Sequence, residues 1–256
     1  MEEWFENEDF WKVLFPFIFP SEKMDNAAEE VDSILTLTGC EEGTVLDLCC
    51  GPGRHSVALA NRGAKVTGVD RSAFLLERAA SHALASGVDV EWVRQDMRRF
   101  VRPETFDLVL NMFTSFGYFD DKDEDLLVLR NVIDSLRPGG IFVIEMASKE
   151  WLARVFQPTT SEKSADGGLL VQRHEVFDDW SRVRNEWIVL KDGQTTTFKF
   201  HHTIYSAQEL KDRLSQVGFE HVRAFGDLSG GEFGFESTSL VMVAEKPSAS
   251  TEDPII

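Results

Sequence analysis

The sequence has only three cysteines, two of them adjacent (Cys49 and Cys50), so it cannot form the disulfide framework of a small secreted domain. It also lacks a long apolar run. Val13–Phe19 has seven residues and contains Pro16, whereas a membrane span takes roughly twenty. The opening residues, MEEWFENEDFW, are acidic where a secretory signal is basic. These three absences predict a cytoplasmic protein with reduced thiols and no membrane partner. Basic residues are scarce, with 26 Lys and Arg against 44 Asp and Glu and a net charge of −18. Phosphate backbones are held by clustered Lys and Arg, so no nucleic-acid partner is expected. With 8 Pro and 18 Gly in 256 residues, a collagen-like or low-complexity chain is excluded. No His, Cys or Asp cluster has metal-ligand spacing, because His201 and His202 are adjacent and point to opposite faces of a strand; no metal is expected.

What is present is an alternation of short apolar runs with helix-type segments. Strands are predicted at 44–48, 65–69, 88–93, 106–111 and 141–146, and helices at 54–61, 72–85 and 126–136. Strands separated by helices imply a parallel sheet covered on both faces. After residue 150 the rhythm changes. Residues 157–168 read as a loop, then β-rich runs at 169–177, 182–190 and 195–205 follow with only turn residues between them, which describes an antiparallel insertion. Ser206 and Glu209 have capping-box spacing for a new helix, and runs at 220–225 and 238–245 return to the sheet. The chain thus divides into an aromatic, helical N-terminal segment (1–40), a core (41–150), the insertion (151–205), the remainder of the core sheet (206–245) and an aperiodic tail (246–256) expected to be disordered.

The chemistry is concentrated at strand ends. Asp47-Leu48-Cys49-Cys50-Gly51-Pro52-Gly53-Arg54 is a strand, a tight turn and a helix start, and the glycines let backbone approach a ligand. Asp70, followed by Arg71, ends the second strand, twenty-three residues after Asp47, where a carboxylate can accept both hydroxyls of a ribose. Asp96-Met97 follows the third strand and can bracket an adenine between an acid and an apolar side chain. Asn111 ends the fourth.

In the order DLCCGPGR, VTGVD, QDM, FDLVLN and LRPGGIFVIE, the chain resembles the class I S-adenosyl-methionine-dependent methyltransferases over roughly residues 40–245. The resemblance implies a Rossmann-like, doubly wound, seven-stranded and mostly parallel sheet, here with an antiparallel β insertion after the fifth strand. It implies S-adenosyl-methionine as cofactor, with the glycine turn at the methionine end, Asp70 on the ribose and Asp96 on the adenine. Asp47, Cys49, Gly51, Gly53, Asp70, Arg71, Asp96, Met97 and Asn111 are the expected cofactor-binding residues. Cys49 departs from the family pattern, standing where the first glycine is usual and narrowing the room beside the methionine moiety; with Cys50 it reads as packing, not as a nucleophile. An NAD-dependent oxidoreductase is the minor alternative, disfavoured because Ser56 stands where a dinucleotide site wants its third glycine.

The acceptor is expected beside residues 111–119, where Phe113, Phe116, Tyr118 and Phe119 fall within seven residues, two of the phenyl rings being expected in the core. No N-P-P-Y or D-P-P-Y sequence follows the fourth strand, which together with the charge points to a small-molecule acceptor methylated at N, O or C. A methyltransferase acting on protein or RNA, and a non-catalytic protein that only binds the cofactor, are the alternatives. In the insertion, alternation puts Phe198, Phe200, His202 and Ile204 on one face and Lys199, His201 and Tyr205 on the other. His202 reads as a satisfied buried histidine or a pocket base; Tyr118 and His202 are the candidate catalytic bases, needed only if the nucleophile arrives protonated. The N-terminal aromatics read as a lid, a homodimer contact or plain packing.

Overall fold

The computed structural model describes residues 3–40 and 42–248. After a short 3-10 turn at Trp4–Glu6 come α1 (Glu8–Ile18), α2 (Ser21–Asp25) and α3 (Ala27–Thr38). The core then runs β1 (Thr44–Leu48), α4 (Arg54–Ala60), β2 (Lys65–Asp70), α5 (Ala73–Ser86), β3 (Glu91–Arg94), β4 (Phe106–Asn111), α6 (Lys122–Ser135) and β5 (Leu136–Met146). The helix α7 (Lys149–Val155) leads into β6 (Thr159–Lys163), β7 (Leu169–Phe177), β8 (Arg182–Lys191) and β9 (Gln194–Thr203), and α8 (Ala207–Gln216), β10 (Glu220–Phe225) and β11 (Leu240–Glu245) complete the chain.

Seven strands form one sheet in the order β10-β11-β5-β4-β1-β2-β3, with β11 antiparallel to both neighbours and the other pairings parallel. The expected fold class is therefore correct. Val31, Ile34, Val57, Leu59 and Ala83, from α3, α4 and α5, pack on one face; Val128, Leu129, Val132, Leu210 and Leu214, from α6 and α8, pack on the other. Two-sided burial explains why the central strands read as continuous apolar runs. The sequence of strands reverses direction across the sheet between β1 and β4, so the open carboxyl ends there face a crevice.

β6 to β9 make a separate antiparallel sheet whose two faces differ sharply. Arg173, Glu175, Arg184, Glu186, Lys199 and His201 face outward, and cross-strand pairs such as Arg173–Glu186 at 3.0 Å and Lys199–Glu186 at 3.0 Å join them. The inner face carries Leu170, Val189 and Phe200, which bury against Phe10, Leu14 and Phe17 of α1. These three residues sit at i, i+4 and i+7, the spacing of a single helix stripe. Plain packing of the N-terminal segment is thus part of the answer: α1 packs on the insertion, whereas α3 covers the main sheet.

Several expectations shift. The third strand begins at Glu91, not Val88, because Gly87 (φ 69°) caps α5 and the Val88 N–H is used by Ala83 O. The fifth starts at Leu136, since Arg137–Gly140 forms a register shift within a strand and not a break before it. Residues 159–163, read as loop, are an edge strand whose Thr, Ser, Glu and Lys carry no apolar alternation. The tail begins later than 246: Lys246 donates its backbone N–H to Gly140 O and its Nζ to Leu136 O. The rest of the expected disordered tail, 249–256, lies outside the described residues. Among the described residues no helix is long and apolar enough to cross a membrane.

The loop after β4 is held to the insertion at Gly117, whose O accepts from Thr203 N at 2.7 Å. Gly117 has φ 92°, and a Cβ there would lie 2.5 Å from Thr203 O. Gly117→Ala is expected to destabilise the fold by about 2–4 kcal/mol, combining backbone strain with overpacking. Urea unfolding checks this, and a midpoint equal to the parent's would show that the loop is not pinned there.

Candidate active site

The turn after β1 owes its shape to three residues in the left-handed region: Cys49 (φ 62°), Gly51 (φ 55°) and Gly53 (φ 76°). Gly53 cannot be anything larger, because a Cβ would stand 2.7 Å from Trp92 Cη2 and 2.9 Å from Ala79 Cβ. Cys49 takes the same conformation with a side chain, which costs on the order of 1–3 kcal/mol. Its Sγ lies 3.4 Å from Met97 Sδ. Burial pushes the Cys49 and Cys50 thiols well above their ordinary range, so neither is a nucleophile at neutral pH.

Asp70 ends β2 with its carboxylate shared between two backbone donors, Gly51 N–H at 2.8 Å and Ser72 N–H at 2.9 Å. Burial raises it to about 6 in spite of these bonds. No basic side chain lies within ion-pair distance of it among the described residues. Asp47, deeper, is also raised by burial and accepts from Ser56 Oγ at 2.5 Å. Asp96 behaves oppositely: burial opposes its charge, but Arg98, at 2.6 Å, holds it below the usual carboxylate range. Arg71 reaches Asp96 at 3.5 Å.

These groups line a cavity of about 350 Å³ at the carboxyl ends of the strands, a volume within the range of small-molecule sites. The structure brings together Asp47, Cys49, Gly51, Asp70, Arg71, Asp96, Met97, Tyr118 and His202 around it. It leaves out Gly53 and Asn111. Gly53 starts α4 behind the wall, and Asn111 spends its amide on Leu48 O at 3.1 Å, bracing the β1 turn from below. Away from Asp70 and Asp96 the wall carries Lys23 and Arg54, both over the Phe113 ring, Lys23 Nζ at 4.1 Å from its centroid. Acids accompany these two cations: Glu30 pairs with Arg54, and Glu162 lines the cavity near Lys23. Much of the remaining wall is aromatic: Trp4 approaches Tyr118 with ring centroids 4.7 Å apart and Phe200 at 4.6 Å. Of the loop aromatics, Phe116 and Phe119 are buried in the core, as expected for two phenyl rings.

The expected base role fits neither candidate. Burial, together with the nearby Asp70 carboxylate, pushes the Tyr118 phenol upward, so it stays protonated. Burial lowers His202 to about 4, helped by His174 and His201, so it is a neutral imidazole at pH 7 and a weak base. Both are neutral polar groups facing the cavity.

Sequence reasoning missed the acids that close the site. Glu3 pairs with Arg98 at 2.6 Å, the same arginine that holds Asp96. Glu6 pairs with Arg71. Glu8 sits on the N-terminus of α5, accepting from Ser72 Oγ at 2.6 Å, Ala73 N at 2.8 Å and Phe74 N at 3.2 Å. Three acids within six residues thus fasten the N-terminal segment to the flanks of Asp70 and Asp96. Also missed was Glu30, whose Oε2 lies 2.5 Å from Arg54 Nη1 and 2.6 Å from His55 Nε2, explaining how both buried side chains are paired. The acidity of MEEWFENEDFW was visible, but partners 64 to 95 residues away leave no local pattern.

Residues 45–140 match the family model described as a methyltransferase domain. The cypemycin N-terminal methyltransferase of a Streptomyces species is 28% identical over 205 residues, covering 79% of this chain and 83% of that protein. In fold, the chain is similar to a S-adenosylmethionine-dependent methyltransferase from Clostridium acetobutylicum (TM-score 0.78, 16% identity, covering 94% of this chain and 98% of that one). It is also similar to SAM-bound CalS10, an amino pentose methyltransferase from Micromonospora echinaspora (TM-score 0.64, 22% identity, covering 93% and 96%).

Proposed function

The chain belongs to the class I S-adenosyl-methionine-dependent methyltransferases, and from that premise we propose that it methylates a small molecule enclosed between the strand ends, α1 and the β6–β9 sheet. The observation that carries the reading is an aromatic-walled cavity that has cofactor-type acids at one end and is covered by both the N-terminal segment and the insertion. Asp70, half-buried and with no cation within ion-pair distance among the described residues, fits a ribose, whose hydroxyls add donors to the Gly51 and Ser72 N–H groups. Asp96 and Met97 fit an adenine edge and face. Lys23 and Arg54, at the other end, fit the carboxylate of a methionine moiety. When bound, S-adenosyl-methionine supplies an electrophilic methyl on a sulfonium.

What the protein contributes is alignment. The aromatic faces of Trp4, Phe5 and Tyr118 exclude water and favour positive charge, and Phe5 stacks on Tyr118 with centroids 6.3 Å apart. Because Tyr118 stays protonated and His202 is a weak base, the reading favours a nucleophile that already carries a lone pair, such as an amine nitrogen. An apolar cavity favours an amine in its neutral form. The amino pentose in the name of CalS10 has the size and polarity such a cavity takes. Protein and RNA acceptors fit less well, since the cavity is covered by two elements that a macromolecule would have to displace.

Incubation of the protein with methyl-labelled S-adenosyl-methionine and a bacterial lysate, followed by separation by size, tests the proposal. Label is expected in the small-molecule fraction. Label on protein or RNA would overturn the enclosed-acceptor reading, and binding without transfer to any fraction would favour a non-catalytic role.

A further inference from the structure

On the inner face of the insertion sheet, apart from Gln172 and Glu162 nearer the edge strand, a line of three polar side chains runs across three successive strands. His174 on β7 stands directly opposite Asn185 on β8, and His202 on β9 is the diagonal neighbour of Asn185, opposite Val183. Asn185 is buried, at 3% exposure, so its amide needs partners within the protein. It finds them on both sides: Oδ1 lies 2.8 Å from His174 Nδ1, and Nδ2 lies 3.2 Å from His202 Nδ1. The nitrogen end is also the end turned toward Val183 O, at 3.5 Å.

This chain of contacts has a fixed sense. An amide oxygen only accepts, so His174 donates from Nδ1. An amide nitrogen only donates, so His202 Nδ1 must accept and carries no proton. In a neutral imidazole the proton is then on Nε2. Among the described residues Nε2 has no hydrogen-bond partner, and His202 lines the cavity beside Tyr118, with ring centroids 6.4 Å apart. Tyr118 Oη is likewise without a partner among the described residues.

We propose that Asn185 is a positioning residue that locks His202 in the Nε2–H tautomer, so that His202 presents a hydrogen-bond donor to the acceptor and selects molecules with an oxygen next to the atom that is methylated. The role is recognition and orientation. His202 takes no proton, and its partner on the acceptor is a hydroxyl, carbonyl or carboxylate oxygen. An acceptor lacking that oxygen leaves a buried N–H unpaired, a penalty that polar sites use to reject close analogues. The inference rests on the reading of this cavity as an acceptor site, but its first test does not.

The first test is the tautomer, read from the ring nitrogen chemical shifts of histidine-labelled protein with no acceptor present. Nδ1 of His202 is expected to have the shift of an unprotonated ring nitrogen and Nε2 that of a protonated one. In Asn185→Asp the carboxylate can only accept, so the two assignments should exchange. A protonated Nδ1 in the parent protein, or no exchange in Asn185→Asp, overturns the proposal. The second test uses transfer of label from methyl-labelled S-adenosyl-methionine into the small-molecule fraction of a lysate. His202→Gln keeps an N–H at the cavity and should retain at least a third of the parent rate, whereas His202→Phe should lose tenfold or more. Both variants should bind S-adenosyl-methionine as the parent does by calorimetry, which also reports that they fold. Equal losses in Gln and Phe would contradict donation and restore a base. The expected tautomer, with no label entering small molecules even in the parent, would fault the small-molecule reading and leave the tautomer lock standing.

Discussion

Asp70→Ala is expected to weaken S-adenosyl-methionine binding by roughly ten- to a hundredfold, because a carboxylate accepting two ribose hydroxyls contributes on the order of 1.5–3 kcal/mol. The charge state of Asp70 adds a second signature. Its carboxyl titrates at about 6 because burial disfavours the ion, against an ordinary value of 3.8. Hydroxyl donors bind the ion better than the acid, so ligand binding pulls this value down again. Affinity is therefore expected to be flat above pH 6 and to fall as pH drops below it, by up to about tenfold per unit. Stability of the ligand-free protein runs the other way. A group whose folded value lies above its unfolded one takes up a proton on folding between the two, so the contribution of Asp70 improves as pH falls from about 6 toward 4. Calorimetric titration between pH 5 and 8 checks both. Asp70→Asn should lose the pH dependence along with the affinity, and an affinity unchanged in Asp70→Ala would remove Asp70 from the site.

Glu8→Ala is expected to release the N-terminal segment. Its carboxylate accepts three hydrogen bonds at the start of α5, where the helix dipole also favours an anion. Burial works against the ion, yet the bonds from Ser72, Ala73 and Phe74 bring Glu8 below its ordinary value of 4.5. The latch is thus fully made above that value and weakens as pH falls through the lower one. Losing it should cost about 1.5–3 kcal/mol of local closure, seen as ten- to a hundredfold faster amide exchange over residues 8–18. Dissociation of S-adenosyl-methionine should quicken with it, since the same segment covers the cavity. Asp9→Ala, one residue away on an exposed side chain, should change neither. Unaltered exchange in Glu8→Ala would mean that the apolar stripe of Phe10, Leu14 and Phe17 holds α1 by itself.

How legible the molecule was depends on the range of the interaction. The glycine turn, the acids at the ends of β2 and β3, and the alternation of β7 to β9 are local patterns, and each predicted element stands within a few residues of its expected place. Phe198, Phe200 and His202 share a face as period two requires. The edge strand β6 escaped because its residues are exposed and polar on both sides. Asn111 read as a ligand group because it ends a strand, but only the packed structure shows its amide turned onto Leu48 O. Glu3, Glu6 and Glu8 were visible as charge, not as latches, because nothing in a sequence couples an acid at the N-terminus to Arg71, Ser72 and Arg98. The same holds for Asn185, an unremarked polar residue until its neighbours on two other strands are known.

The most direct measurement is a crystal structure of the protein with S-adenosyl-homocysteine. The account predicts the ribose hydroxyls on Asp70, the adenine between Asp96 and Met97, the amino-acid carboxylate toward Lys23 and Arg54, and the sulfur facing Tyr118 with open space before His202. A ligand bound outside this cavity, or one whose ribose lies away from Asp70, would contradict it.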